Sequence, residues 1–202
     1  MLAPYQTLIL PAFLGLGIAA ASGLRTFLPI TMLAFAAHFG LFGTTLNPHL
    51  AWLGSTPFLV GLSVATVVEL AADKIPVVDH LLSAVGTVTR PMAGWLAASA
   101  VFTHLDPATA ALAGLIIGVP AALTMHTAQT GARVVSTATT LGLGNPALSG
   151  LEDGAAAVLA GLAIAFPVLG AILALALVLA VIGLWRRLTR KRAQAATVVD
   201  AP

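Results

Sequence analysis

Cysteine is missing from all 202 residues, which excludes disulfides, thiolate metal centres and cysteine nucleophiles. Charge is scarce as well. Charged residues make up 8% of the chain, against about 25% in an ordinary soluble domain. A surface so poor in charge cannot be hydrated over most of its area, so its solvent has to be lipid. Enzyme signatures are absent too: there is no H-E-x-x-H, no G-x-S-x-G and no phosphate loop. The Gly-x-Gly stretches at Gly15–Gly17 and Gly142–Gly144 lack the strand–turn–helix setting that nucleotide binding needs. The expectation is therefore a non-enzyme with no cofactor and no metal. Acid–base chemistry by Glu69, Asp73 and His126 is left without a specified substrate.

What remains is apolar. The hydrophobic fraction is 59% and the mean hydropathy is +1.02. At about 20 residues per span, the chain has room for roughly six crossings. Its basic residues are unevenly placed. Arg186, Arg187, Arg190, Lys191 and Arg192 form one tail after a long apolar run, whereas the body holds only Arg25, Lys74, Arg90 and Arg133. Lys and Arg beside a span stay on the cytoplasmic side. The sequence thus predicts a multi-pass protein of the inner (cytoplasmic) membrane, with a helical domain over 1–187 and a cytoplasmic tail over 188–202. The tail lacks the interleaved aromatics of a nucleic-acid binder, so no nucleic-acid partner is expected, and the tail can instead meet anionic lipid headgroups. No Lys or Arg precedes the apolar run Leu8–Ile18, which argues for a first span rather than a secretory signal.

Along the chain, apolar segments run from about Thr7 to Ala21, from Thr26 to Gly43 and from Pro57 to Ala72. A mixed, charged segment follows before Pro91–Phe102. Asp106–Pro107 marks a helix start, and the next span is expected over Ala108–Ala128 with a kink at Pro120 and a break at Thr130–Gly131. Pro167 divides the last apolar stretch, Ala155–Trp185, into two helices, and Trp185 suits an interfacial anchor. Ser22-Gly23-Leu24-Arg25 and Thr130-Gly131-Ala132-Arg133 look alike, as do Asn47-Pro48 and Asn145-Pro146. Repeats with interrupted helices point to transporter-like sites, which suggests an inverted repeat of 6–104 on 107–187. The predicted fold class is an all-α membrane protein, a compact bundle of six to eight transmembrane or half-membrane helices, with short or re-entrant pieces after Arg25 and Arg133.

The candidate site residues are Arg25, Glu69, Asp73, His126, Arg133 and Glu152. Glu69 and Asp73 are four apart and share a helix face. Glu69 lies among Val67, Val68 and Leu70, and a charge at membrane depth costs about 2.5–3.5 kcal/mol even on the lenient insertion scale. Arg25 and Arg133 lie at expected helix breaks, where free N–H groups plus a guanidinium suit a carboxylate or phosphate oxygen. Each also reads as one half of a structural ion pair, with Glu69 or Glu152. Asp73, Lys74 and Asp79 read equally as an interfacial rim, where charges cap a helix and meet water, and Glu152 and Asp153 as favourable partners of a helix dipole. His126 offers a proton relay or cation ligand, or a plain interhelical hydrogen bond. The hydroxyls of Ser136–Thr140 can bond to their own helix.

The stretches Ser22–Pro29, Glu69–His80, Ser136–Thr140 and Asn145–Asp153 together resemble a bacterial domain-of-unknown-function family of small multi-span membrane proteins. The resemblance covers about residues 15–185, and its most specific part is 69–80. It implies a membrane location and this size, and carries no catalytic or binding residue. The residues themselves point first to a small-solute or ion transporter or channel, taking a small anionic solute with a coupling ion. The second reading is a scaffold or partner subunit whose internal charges fix packing, and the third a lipid-modifying enzyme. The lipid bilayer is the expected partner, and homo-oligomerisation is compatible with all three.

Overall fold

The computed structural model describes the backbone of residues 5–199, and side chains except those of 5–6, 76–81 and 188–199. Asp79, His80, Arg190, Lys191 and Arg192 thus lie outside the described side chains. Among the described residues the chain forms seven α-helices and no strand: α1 Leu10–Leu24, α2 Leu28–His38, α3 Thr56–Ala72, α4 Pro76–Ala100, α5 Pro107–Thr140, α6 Asn145–Ala165 and α7 Pro167–Val199. This is an all-α membrane-type bundle. Four helical stretches, Thr7–Leu24, Pro107–Thr140, Asn145–Ala165 and Pro167–Arg187, are long and apolar enough to cross a bilayer. The turn Pro48–Gly54 and α3 add a bent pair, at 59° to each other.

α1 is the central post. Ile18, Ala19, Ala20 and Ala21 are 0% exposed, because α4, α5, α6 and α7 pack around them. Small residues permit this closeness. A Cβ on Gly23 would sit 2.7 Å from the Met125 Cβ, and one on Gly118 would sit 2.7 Å from the Gly94 carbonyl carbon. Lipid supplies no hydrophobic drive between helices, so backbone approach and dispersion contacts hold such a bundle. The outer faces carry the opposite pattern: Val67, Ile116, Val158 and Leu179 are all more than half exposed, as lipid-facing residues are.

α1 ends where the sequence predicts. Arg25 is extended, at φ −136° and ψ 131°, and Pro29 lies in the first turn of α2. A proline ring clashes with the carbonyl four residues earlier, here that of Arg25, and the chain breaks there, whereas α4 and α5 continue through Pro91 and Pro120. α4 begins at Pro76 and takes in the mixed segment, and Phe166–Pro167 separates α6 from α7. The break expected at Thr130–Gly131 does not occur, and α5 is continuous over 34 residues. One interior glycine costs about 1 kcal/mol relative to alanine, too little to stop a helix whose next turn carries Arg133 into a buried ion-pair cluster. No half-membrane helix therefore follows Arg133, and the break at Gly23–Arg25 has no counterpart at Gly131–Arg133. The helix ends instead at Leu141, which is left-handed at φ 54°.

Candidate functional site

Four helix ends meet at one end of the bundle. α1 and α3 finish there, and α2 and α6 begin there. The carboxylate of Glu69, on the last turn of α3, turns towards the gap between α1 and α2. It accepts hydrogen bonds from the Thr26 and Phe27 backbone N–H groups at 2.7 and 2.9 Å. The N–H groups freed by the helix break, expected to receive a ligand oxygen, are therefore already capped by the protein's own carboxylate. Nor does Arg25 pair with Glu69.

Arg25 is 0% exposed. Its Nη2 donates to Asp73 Oδ2 at 2.7 Å and to the Ser149 hydroxyl at 2.9 Å, and lies 3.5 Å from Glu152 Oε2. Its Nε is 2.5 Å from Asp153 Oδ1, yet neither atom is aligned for a hydrogen bond, so this contact is a Coulombic pair. Arg133 reaches the same carboxylates from α5, with Nη2 at 2.9 Å from Asp73 and 2.5 Å from Glu152. Gln129, one turn earlier, donates to Glu152 at 2.7 Å, and the Ser149 hydroxyl donates to Asp73. Towards the exterior, Lys74 joins Asp153 at 2.9 Å and the Ser149 hydroxyl at 2.6 Å. The Lys74 side chain is 41% exposed, which makes this the open rim of the cluster.

Of the six residues expected to form the site, Arg25, Asp73, Arg133 and Glu152 form one contiguous ion-pair cluster, and Glu69 adjoins it through the α1–α2 break. His126 does not touch the cluster directly. Its Nδ1 is 2.9 Å from Arg90 Nη1 and its Nε2 is 3.3 Å from the Thr87 hydroxyl. A guanidinium has only donors, so Nδ1 accepts, and the ring is neutral with its proton on Nε2. In that state His126 serves as an interhelical hydrogen-bond partner joining α4 to α5.

Sequence reasoning passed over Arg90, Gln129 and Ser149. A signal was present for Gln129: Ala122, Met125, His126, Gln129 and Arg133 are all buried and follow the three–four spacing of one α-helical stripe. For Arg90 the pattern was mute, since it lies in the mixed segment beside Pro91. Arg90 is 3% exposed. Among the described residues, its hydrogen bonds go to His126 and, at 3.4 Å, to the Gly23 carbonyl, and no carboxylate stands at ion-pair distance from it.

A cavity of about 100 Å³ lies beside this cluster, with Arg25, Arg90, Glu69, Asp73, Thr26 and Thr89 in its walls. Among the described residues no group of His, Asp and Glu side chains is arranged to hold a metal ion. The polar chemistry available is anion recognition by guanidinium groups and proton exchange at carboxylates.

A bundle of apolar helices closed around buried ion pairs is the architecture of an integral membrane protein. This chain belongs to the domain-of-unknown-function family DUF4126, whose profile matches residues 12–187. No curated protein and no solved structure shows a match.

Proposed function

We propose that this protein is a small-solute or ion transporter of the inner membrane, multi-pass with a cytoplasmic C-terminus, and that its polar site is the cluster at the interrupted α1–α2 helix. The supporting observation is the concentration of charge. Arg25, Arg90, Arg133, Glu69, Asp73 and Glu152 are each at most 7% exposed, and they make up most of the charge that the helical body carries before its basic tail. Charged groups at membrane depth cost about 2.5–3.5 kcal/mol each by insertion scales, and packing alone would be served by apolar residues at the same places. Carboxylates and guanidiniums that share oxygens can exchange partners when a substrate anion or a proton arrives. The partly exposed Lys74–Asp153 pair would be the route from the cluster to water.

A scaffold reading is favoured by one observation: Glu69, Asp73 and Glu152 all have partners inside the protein. The two readings separate in liposomes. The transporter reading expects protein-dependent, saturable flux of a small carboxylate, chloride or protons, lost in Asp73→Asn with the fold retained. If Arg25→Gln/Arg133→Gln protein folds and every tested flux matches wild type, transport through this cluster is wrong. If Arg133→Glu/Glu152→Arg restores both stability and function, the scaffold reading holds.

A further inference from the structure

At the charge cluster the acceptors are better satisfied than the donors. Both Glu69 oxygens hold backbone N–H groups, and Asp73 Oδ2 receives two guanidiniums and a hydroxyl. By contrast Arg25 Nη1 and Arg90 Nε are buried without a hydrogen-bond partner. These are two atoms of always-charged groups, on two residues in the wall of the same 100 Å³ cavity. Buried donors are nearly always satisfied, and an unpaired one costs more when it is charged. The cavity exceeds the size a single water needs and fits a group of a few heavy atoms with two or more acceptor sites.

The cavity has an apolar neighbour. A groove of about 340 Å³ runs along α2, α3 and α4, walled by Trp52, Phe58, Leu62, Met92 and Trp95 among others, and it shares Thr26, Phe27 and Thr89 with the charged cavity. Its rim is made of lipid-facing residues, since Trp52, Phe58 and Met92 are 41%, 47% and 55% exposed. The groove is shaped by fixed parts. The Trp52 and Phe58 rings lie 4.4 Å apart, and the Trp95 indole N–H donates to the Ala111 carbonyl at 2.9 Å. Together the two spaces reach the range of about 300–1,000 Å³ typical of small-molecule sites, which are mostly apolar with a few convergent polar groups.

We propose that cavity and groove form one binding site for a single-chain amphiphile with a carboxylate head, the class to which fatty acids belong. The carboxylate takes the open N–H groups of Arg25 and Arg90, and the chain lies in the Trp52–Phe58–Trp95 groove. Such a ligand already resides in the bilayer and enters sideways through the lipid-facing rim. Glu69 and Asp73 stand in the cavity wall and oppose a second negative charge, so a monoanionic head fits and a dianionic phosphate does not. The idea names the substrate class of the transport site and rests on that reading for its biological consequence, but binding itself is tested without flux.

Native mass spectrometry of the full-length protein released from micelles, with laurate, dodecyl phosphate, dodecyltrimethylammonium and acetate as separate probes, decides the matter. The expected result is a single saturable laurate adduct, with much weaker adducts from the phosphate and the cation. Acetate, lacking the chain, should not displace laurate at equal concentration. Arg90→Gln should weaken laurate retention about tenfold, as loss of one charged hydrogen bond implies. Met92→Trp, at a half-exposed position in the groove wall, should block the groove and weaken retention similarly even if the Arg90 variant does not fold. Equal adducts from both head charges, or wild-type laurate retention in the Met92 variant, would mean that the cavity holds only water and would overturn the proposal. Laurate binding without any flux would retire the transport reading and leave this site standing.

Discussion

Glu69 shows how one side chain can act as structure at a position that looks functional. Its carboxylate replaces the missing helical partners of Thr26 and Phe27, and charge-assisted bonds of this kind contribute about 1.5–3 kcal/mol each. Glu69→Ala should therefore destabilise the protein by about 2–4 kcal/mol, measured by thermal unfolding in micelles, and should loosen α2 first in hydrogen exchange. Loss of stability without local loss of protection around Thr26 would show that the capping role is wrong. Arg133 and Glu152 are coupled more tightly, through bonds of 3.2 and 2.5 Å. Removing either alone leaves a buried charge short of its main partner, although Asp73 still meets Arg133 and Gln129 still meets Glu152, and should cost about 3 kcal/mol. Arg133→Leu combined with Glu152→Leu should cost clearly less than the sum, in a double-mutant cycle. Additive losses would contradict direct pairing. Glu69 and Asp73 share a helix face, as their spacing indicated. That spacing could not tell that one would cap α2 while the other bridged two arginines, because the difference depends on which helices arrive at each turn.

The elements are governed by small residues and caps. On α5, two glycines that look equivalent in sequence should behave oppositely. Gly118 has the Gly94 backbone at van der Waals contact, so Gly118→Ala should force α4 and α5 apart and cost about 1–3 kcal/mol. Gly131 faces open space inside an uninterrupted helix, so Gly131→Ala should stabilise by about 1 kcal/mol. Destabilisation by Gly131→Ala would mean that α5 does break there. Asp106 caps the start of α5, accepting from the Ala108 and Thr109 N–H groups at 3.2 and 3.1 Å. The Thr109 bonds hold its carboxyl below the ordinary 3.8. A depressed carboxylate pKa stabilises above the unfolded value and is lost as pH falls through the folded one. Asp106→Asn should thus flatten the acid limb of the stability profile below about pH 4 and leave neutral pH little changed. An unchanged acid limb would remove the cap from the account.

Over the whole molecule, the ion pairs among the described residues gather at one level. One end of the bundle carries Arg25, Asp73, Lys74, Arg133 and Asp153. At the other, Asn47 ties the 48–54 turn to the end of α4 through the Phe102 and Leu105 carbonyls, at 2.8 and 3.0 Å. α1 and α7 both start at this second end, where Leu10, Pro11 and Pro167 meet around Thr44 and His104. α7 therefore carries its basic tail towards the charged end. Cysteines placed at Lys74 and at Arg187 should react with a membrane-impermeant reagent from the same side, and one at His104 from the opposite side. Labelling of 74 and 187 from opposite sides would refute this arrangement.

Composition alone determined the solvent: with so little charge and such long apolar runs, only helices satisfied within themselves can bury the backbone in lipid. Pro29 and Pro167 mark where α1 stops and where α6 hands over to α7, but a proline alone does not fix a break, since Pro91 and Pro120 lie inside α4 and α5. Local grammar overstated Gly131, whose small cost was outweighed by the contacts of the following turn. The tertiary structure alone decided which carboxylate meets which arginine, and that Arg90, mute in the sequence, ends buried with no carboxylate at ion-pair distance among the described residues. Ion pairing depends on distances between helices far apart in the chain, and no spacing along a single helix encodes them.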